Sequence, residues 1–532
     1  MTIAYINGKI FTSDRKKLYV DAMIVENSRI KWTGSSKDMP DGDYEVYDLE
    51  GKCVIPGFID AHMHPFLLAD FSKQISCLPP KINSISELSD AIAEVRLEQG
   101  PDKWIEGWGY DEGKLAEHRS PNRYDLDKGS NDAPVYLIRS CEHIRCVNSK
   151  ALEIADITKN TPDPPGGEIE RDENGEPTGV LKENAKYLIM PYLPQETRED
   201  HIKNLVDLGK LLTSQGIVGV TDMGNLTSPD DNYPLYKEAV EKGFKQKVSV
   251  YYMWDYYEND PKFYIPDARF DMTQQIRVAG LKLIGDGSVS GRTAWMDKPY
   301  LGSDSEYGMP VYSDESIDKA IYFVKRNNCQ LAVHAMGGRA IDRIIDRVYD
   351  EPRWMHNGVP DIRIEHVTEP SDVALTKAAE RGIAIATQPI FSYCEIETYL
   401  RNLGIERTRK TYPYRSMLDS GVKLCLSTDS PATSWAIPSD PFSNLKSAVT
   451  RVAYDGTDIG EEQRIDIETA IILYTAEAAE ISGFADSGKL KEGYLADFAI
   501  LSNDIFTVNP SDIDKINVDE TYIKGERVYY RK

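Results

Sequence analysis

The sequence contains no CxxC pair. Its seven cysteines, at 53, 77, 141, 146, 329, 394 and 425, are scattered and cannot all pair. That argues against a disulfide scaffold and fits a reducing cytoplasm. No run approaches the roughly 20 apolar residues needed to cross a bilayer. The first twenty residues, MTIAYINGKIFTSDRKKLYV, lack the apolar stretch of a secretory signal. Basic residues are outnumbered, 62 Lys and Arg against 86 Asp and Glu, for a formal net charge of −24. A field of that sign repels phosphate backbones and anionic lipid, which argues against nucleic-acid and membrane partners. There is also no Gly-rich phosphate turn, low-complexity tract or fixed-period repeat.

What is present is a soluble-protein balance, 41% hydrophobic and 28% charged, over 532 residues, enough for two or three domains. Both ends read as β-structure. Residues 3–6 and 9–12 flank Asn7-Gly8, a strong hairpin signal. Residues 22–25 and 29–32 flank Glu26-Asn27-Ser28, and 521–523 and 527–530 surround Lys524-Gly525-Glu526; residues 497–501 add another strand. So few strands cannot bury a core at each end alone, so residues 1–55 and 487–532 are expected to form one small composite β-sandwich domain. Between them, from 56 to 486, eight strand-like runs alternate with helical patterns: 58–64, 217–221, 248–252, 278–284, 331–335, 362–367, 383–387 and 423–428. Eight parallel strands with crossover helices close into a TIM barrel. The fold class is therefore α/β, a (β/α)8 barrel with a large insertion after strand 1 and a β-sandwich from the two termini. The insertion, about 70–205, carries a helix opened by Ser84-x-x-Glu87, strands at 104–108 and 135–139, and a Gly/Pro/Asp-rich stretch at 161–179.

Four of the eight histidines end predicted strands. His62 and His64 are two apart on the first, so alternation points both imidazoles to one face. His334 and His366 end the fifth and sixth strands, and Asp429 closes the eighth. Imidazole and carboxylate are borderline ligands suited to Zn²⁺ and similar divalent ions, and barrel active sites lie where the strands end. Lys282, on the fourth strand, is opposite in parity to Leu281 and Leu283 and therefore inward. A buried ammonium would repel a cation. Either CO₂ carbamylates it into an anionic ligand, or it forms a structural ion pair with Asp286 or Asp222; residue chemistry leaves both open.

These residues sit in words that resemble the amidohydrolase superfamily, and within it the YtcJ-like group that includes N-substituted formamide deformylases. The words are Val54-Ile-Pro-Gly-Phe-Ile-Asp-Ala-His-Met-His64, Gly107-Trp-Gly-Tyr-Asp-Glu112, His143 with Val147-Asn-Ser-Lys-Ala-Leu152, and Gly166-Gly-Glu-Ile169 with Pro177-Thr-Gly-Val-Leu181. They continue through Lys282-Leu-Ile-Gly-Asp-Gly-Ser288, Arg292-Thr-Ala-Trp295, Ala332-Val-His-Ala335, Arg363-Ile-Glu-His366, Ser427-Thr-Asp-Ser-Pro431 and Gly493-Tyr-Leu-Ala-Asp497. The resemblance implies a split β-sandwich around a barrel and a binuclear site bridged by carbamylated Lys282. Two departures bear on specificity: Gly338, where relatives more often carry an acidic residue, and Cys141-Glu142 before His143.

The resulting expectation is hydrolysis of an amide or other non-peptide C–N bond of a small molecule by metal-activated water, with Asp429 as general base and acid. His62, His64 and Lys282 would hold the more buried ion and Lys282, His334 and His366 the outer one. The ions are expected to be zinc, with other divalent metals allowed. His143 is a candidate for gripping substrate or an oxyanion, and Trp108, Tyr110, Asp111, Arg292 and Trp295 for the pocket wall. The rivals are a mononuclear deaminase or lyase, a lactone, ester or phosphotriester hydrolase, and a non-catalytic scaffold. A symmetric homodimer is the default oligomer.

Overall fold

The structure is a computed structural model and describes residues 2–140, 143–225, 231–258, 260 and 262–532. Cys141 and Glu142 lie outside the described residues. The chain folds into two compact units, one of residues 1–65, 205–433 and 439–532 and the other of 66–204 with 434–438.

In the first unit, eight parallel strands form one sheet: β1 (Phe58–Met63), β2 (Ile217–Asn225), β3 (Lys247–Met253), β4 (Ile276–Ile284), β5 (Gln330–Ala335), β6 (Ile362–His366), β7 (Ala384–Thr387) and β8 (Lys423–Leu426). Each pairs with the next in chain order. Their near-continuous apolar runs are those of strands covered on both faces. The sheet closes just beyond β8. Met63 bridges Ser430 in parallel, Asp429 N donates to His62 O, and His64 N donates to Ser430 O, both at 2.7 Å. The barrel is as the sequence implied.

Its interior is filled in layers. At the strand N-termini the helix Ala476–Ser482, ended by Gly483 at φ +73°, acts as a plug. Ser249 Oγ and Arg277 Nη2 donate to Ser482 O, Gln330 Nε2 donates to Ile481 O, and Thr221 Oγ1 donates to Ser482 Oγ. Above it Met223, Tyr251, Ala279 and Ala332 pack together. The register between β3 and β4 then slips by one residue, Val250 opposing Val278 but Tyr251 opposing Gly280. A bulge of this kind resets the alternation, so Arg277 and Ala279 below it and Lys282 above it all face the interior.

Both chain ends build the rest of the first unit. One sheet has the order Arg29–Gly34, Ala22–Glu26, Thr2–Ile6, Glu45–Asp48; the other runs Glu526–Tyr530, Val518–Ile523, Phe498–Leu501, Cys53–Pro56, Lys9–Phe11, Tyr19–Val20. A shared core joins them, with Phe498 stacked on Tyr522 at 4.3 Å between centroids. Two of the expected hairpins form, turning through Asn27-Ser28 and Lys524-Gly525 in left-handed conformations. The Asn7-Gly8 hairpin does not. Asn7 does adopt φ +57°, but Thr2–Ile6 pairs with Ala22–Glu26 and Glu45–Asp48 while Lys9–Phe11 joins the other sheet. Asn7 bends the chain, but the competing partners on both edges of Thr2–Ile6 carry it from one sheet to the other.

The second unit is a six-stranded sheet ordered Gly167–Arg171, Pro177–Glu183, Ile144–Val147, Val135–Arg139, Ile105–Tyr110, Ile75–Ser76. The helix Ile85–Gln99 is capped by Ser84 Oγ, which accepts from Glu87 N, and buries Leu88 and Ile92. The stretch at 161–179 holds a strand, a turn through Gly175 at φ +78° and the start of the next strand rather than a loop alone. Polar and Gly-rich in composition, the stretch lacks the apolar alternation of a strand, yet Gly167–Arg171 pairs antiparallel with Pro177–Glu183 across the turn.

Gly280 is required where the register slips: a Cβ there would lie 1.8 Å from the Gln330 carbonyl oxygen. Gly280→Ala is expected to lower stability by about 1–3 kcal/mol, read as a lower urea midpoint; an unchanged midpoint would refute the close approach.

Candidate metal centre

Six side chains from the C-terminal ends of β1, β4, β5, β6 and β8 come together in the first unit. His62 Nε2 lies 3.3 Å and His64 Nε2 3.0 Å from Asp429 Oδ1. Lys282 Nζ is 3.4 Å from His62 Nε2. The His366 ring centroid is 5.0 Å from that of His62 and 4.4 Å from that of His334. One donor atom each from His62, His366 and Asp429 falls within a 4.8 Å span. The strand-end residues picked from the sequence therefore do share one location.

Backbone strain contributes to that convergence. Glu365 and His366 are adjacent and would face opposite sides of a regular strand, yet both reach His62. His366 adopts φ +76° and Val367 φ +55°, which turns the chain out of the alternation. Asp429 likewise sits at φ +57°. Such conformations cost about 1–3 kcal/mol each in a non-glycine residue and persist where surrounding bonds enforce them.

Those enforcing bonds form an outer shell that the sequence reading left without a role. Glu365 accepts from His62 Nδ1 at 2.7 Å and is gripped by Arg363 through Nε (2.5 Å) and Nη2 (2.8 Å), while Arg363 Nη2 also donates to Ala61 O. His366 Nδ1 is 2.7 Å from Gln388 Oε1, and His334 Nε2 is 3.0 Å from the Gly287 carbonyl. Asp60 accepts from Thr428 Oγ1 at 2.6 Å and from the backbone N–H groups of His62 and Thr428. Each of these three imidazoles thus has one nitrogen tied to an oxygen, which directs the other inward, as a metal-ligating histidine requires. The available signal was the placement of Arg363 and Glu365 at alternate positions of an otherwise apolar strand. Charges there must be paired inside the barrel.

Electrostatics favours the same state. Burial pushes His366 well below its ordinary pKa and His334 down to about 4, so both rings are neutral and able to ligate. Burial opposes ionisation of Asp429, but the His62 and His64 imidazoles outweigh it and hold the carboxyl well below the usual range. Glu365 is also held low, with Arg363 and then His62 overcoming its burial. Burial brings the Lys282 amine down to about 8. No carboxylate comes within 4.0 Å of Nζ among the described residues. Asp286 instead accepts backbone N–H groups of Trp295, Met336 and Gly337, and Asp222 accepts from Gly224 N and Tyr236 Oη. Among the described residues, buried Asp429 Oδ1 makes no hydrogen bond of regular geometry, although the His62 and His64 Nε2 atoms lie 3.3 and 3.0 Å from it. A buried carboxylate oxygen facing two imidazole nitrogens fits a divalent cation.

The remaining candidates have local partners. Arg292, at φ +57°, forms a bidentate clip to Glu306, and Trp295 is half-buried with Arg343 over its ring. In the second unit Trp108 stacks on Phe71 at 4.9 Å, Tyr110 is fully buried in the core, Asp111 caps Gly113 N, and exposed His143 bonds Glu183 at 2.9 Å. Another grouping there, Asp70, Glu196 and His201, already encloses a cation, since the Lys73 ammonium pairs with Glu196 and lies 3.7 Å from Asp70. At the Gly338 departure, a Cβ would meet the Asp297 carboxylate at 2.1 Å, so an acidic side chain cannot be added there without moving Asp297.

The family model described as the amidohydrolase family matches residues 45–529. The chain belongs to that family. It is a metal-dependent amidohydrolase, a class of hydrolase that acts on carbon–nitrogen bonds. It is 29% identical to the putative amidohydrolase YtcJ of Bacillus subtilis over 99% of both chains. It is 28% identical to the N-substituted formamide deformylase of Arthrobacter pascens over 99% of this chain and 98% of the relative. Among solved structures, an uncharacterized metal-dependent hydrolase from Pyrococcus horikoshii OT3 superposes with a TM-score of 0.70 at 26% identity, covering 96% of this amidohydrolase and 99% of that chain.

The outer shell makes a separate prediction for this amidohydrolase. Glu365→Gln removes the charge that orients His62 and balances Arg363, and is expected to weaken metal binding about 10–100-fold. Chelator competition measures this; wild-type affinity in the variant would refute the role.

Proposed function

We propose that this amidohydrolase cleaves an amide or related C–N bond of a small molecule, with Asp429 as the proton carrier. The observation that best supports the reading is the buried Asp429 Oδ1 between the Nε2 atoms of His62 and His64. His62, His64 and Lys282 would hold one divalent ion, and Lys282, His334 and His366 a second, with zinc expected for so imidazole-rich a set. Bound there, the ions would supply a water of lowered pKa and Lewis-acid polarisation of the scissile carbonyl. Asp429 would take the proton of the attacking water and return it to the leaving nitrogen. Glu365, Gln388 and the Gly287 carbonyl would keep the three rings aimed inward. His143, Trp108, Tyr110, Asp111, Arg292 and Trp295 stand as proposals for substrate contact.

Lys282 would bridge as a carbamate. The neutral amine nitrogen attacks CO₂, the N–C bond forms as one C=O π bond opens onto oxygen, and one proton leaves to solvent, so a neutral amine becomes an anion; from the ammonium, two protons leave in all. The amine pKa favours this: burial lowers it despite the opposing Glu365 and Asp429 carboxylates, and a neutral amine is the reacting form. A single-ion reading is favoured by the compactness of His62, His366 and Asp429 alone. It would suit a deaminase or lyase, and ester or lactone hydrolysis draws on the same chemistry. The proposal extends to a cytoplasmic enzyme that acts as a homodimer.

Asp429→Asn is expected to abolish turnover while keeping bound metal; retained activity would remove the proton-carrier role. Metal analysis with intact-mass measurement on bicarbonate-treated protein should give two ions per chain and a Lys282 adduct, whereas one ion and unmodified lysine would favour the single-ion reading. A screen of N-formyl and N-acyl amines, esters and lactones with zinc-loaded protein should show turnover of the amides; turnover of esters or lactones alone would overturn the C–N assignment.

A further inference from the structure

A cavity of about 190 Å³ opens at the N-terminal ends of β4 and β5, the opposite end of the barrel from His62 and Asp429. Its walls include Arg277, Phe270, Met272, Met355, Val359 and Asn328. Arg277 is only 5% exposed. Its one guanidinium hydrogen bond goes from Nη2 to the Ser482 carbonyl, and Nε is buried with no partner. No carboxylate lies within ion-pair distance, and burial accordingly lowers its pKa. A guanidinium presents five N–H donors. Phe484 lies under this one at 6.0 Å and the Ser482 carbonyl ends a helix, but among the described residues no anionic side chain pairs with it and most of its bonding capacity is unused.

Three other buried arginines show what compensation looks like in this chain. Arg363 is paired with Glu365 and Arg381 with Asp361. Arg451 donates to the carbonyls of Thr411, Tyr412, Ile459 and Gly460. An isolated buried charge is expensive unless paired, and Arg277 has an adjoining cavity in place of a partner. Arg277 is the only basic residue lining that cavity, and no acidic residue lines it, so a single negative charge matches it. The phenylalanine, methionine and valine walls suit an apolar tail. We infer that this cavity is a second ligand site, which binds a small organic monocarboxylate through Arg277 with its hydrocarbon part against Phe270, Met272, Met355 and Val359. The amidohydrolase reading assigns these residues no role, and the inference does not depend on it.

The probe is 4-bromobenzoate, with 4-bromobenzyl alcohol as its uncharged counterpart, titrated calorimetrically into the metal-loaded full-length protein. The acid should bind and the alcohol should not. Crystals soaked in the acid should show a bromine anomalous peak within the cavity. Arg277→Met should weaken that binding at least about tenfold, the loss expected for a charge-assisted contact. Val359→Trp, which fills the cavity and keeps the guanidinium, should abolish it and covers the case in which Arg277→Met fails to fold. Equal binding of acid and alcohol, bromine only beside His62 and Asp429, or wild-type affinity in either folded variant would overturn the site.

Discussion

A parallel sheet of eight strands has two open edges until its first and last strands meet, and here that meeting builds the centre. The two backbone bonds across the seam, Asp429 N to His62 O and His64 N to Ser430 O, bring His62, His64 and Asp429 together although they lie more than 360 residues apart in sequence. Asp60 reinforces the seam by accepting from Thr428 and from His62 N. Its burial raises its pKa to about 6, against which the Thr428 hydroxyl works to keep it ionised. Without closure the three side chains would belong to opposite margins of the sheet.

The charge inside the barrel is organised outward from that seam. Arg363 neutralises Glu365, Glu365 orients His62, and His62 helps keep Asp429 ionised. A buried chain of this kind is costly if any member is missing, because each remaining charge would face a medium that cannot solvate it. Left-handed backbone at His366 and Asp429 is affordable only because these bonds and the strand pairing on either side hold it. Arg277, at the other end of the same barrel, is the group this organisation leaves out.

Much of this was legible in the chain itself. Alternating apolar runs and helical periodicity are local properties, so all eight barrel strands could be counted, and the strand-end positions of His62, His64, His334, His366 and Asp429 could be read directly. Lys282 was read as inward by its parity with Leu281, but the bulge at Gly280 decides that parity and leaves no mark in sequence spacing. Asn7-Gly8 marks a bend and not the hairpin its residue types suggest, because pairing depends on strands far away in the chain.

The sequence by itself determined the eight barrel strands, the family, and which side chains are candidate ligands, since these follow from residue type and short-range periodicity. Only the tertiary structure decided which nitrogens of His62, His334 and His366 are engaged, that Glu365, Gln388 and Asp60 stand behind the candidate site, and that Arg277 is buried beside a cavity lined, among the described residues, by no acid. Those outcomes depend on contacts between distant segments and on exclusion of water, which exist only after the barrel has closed.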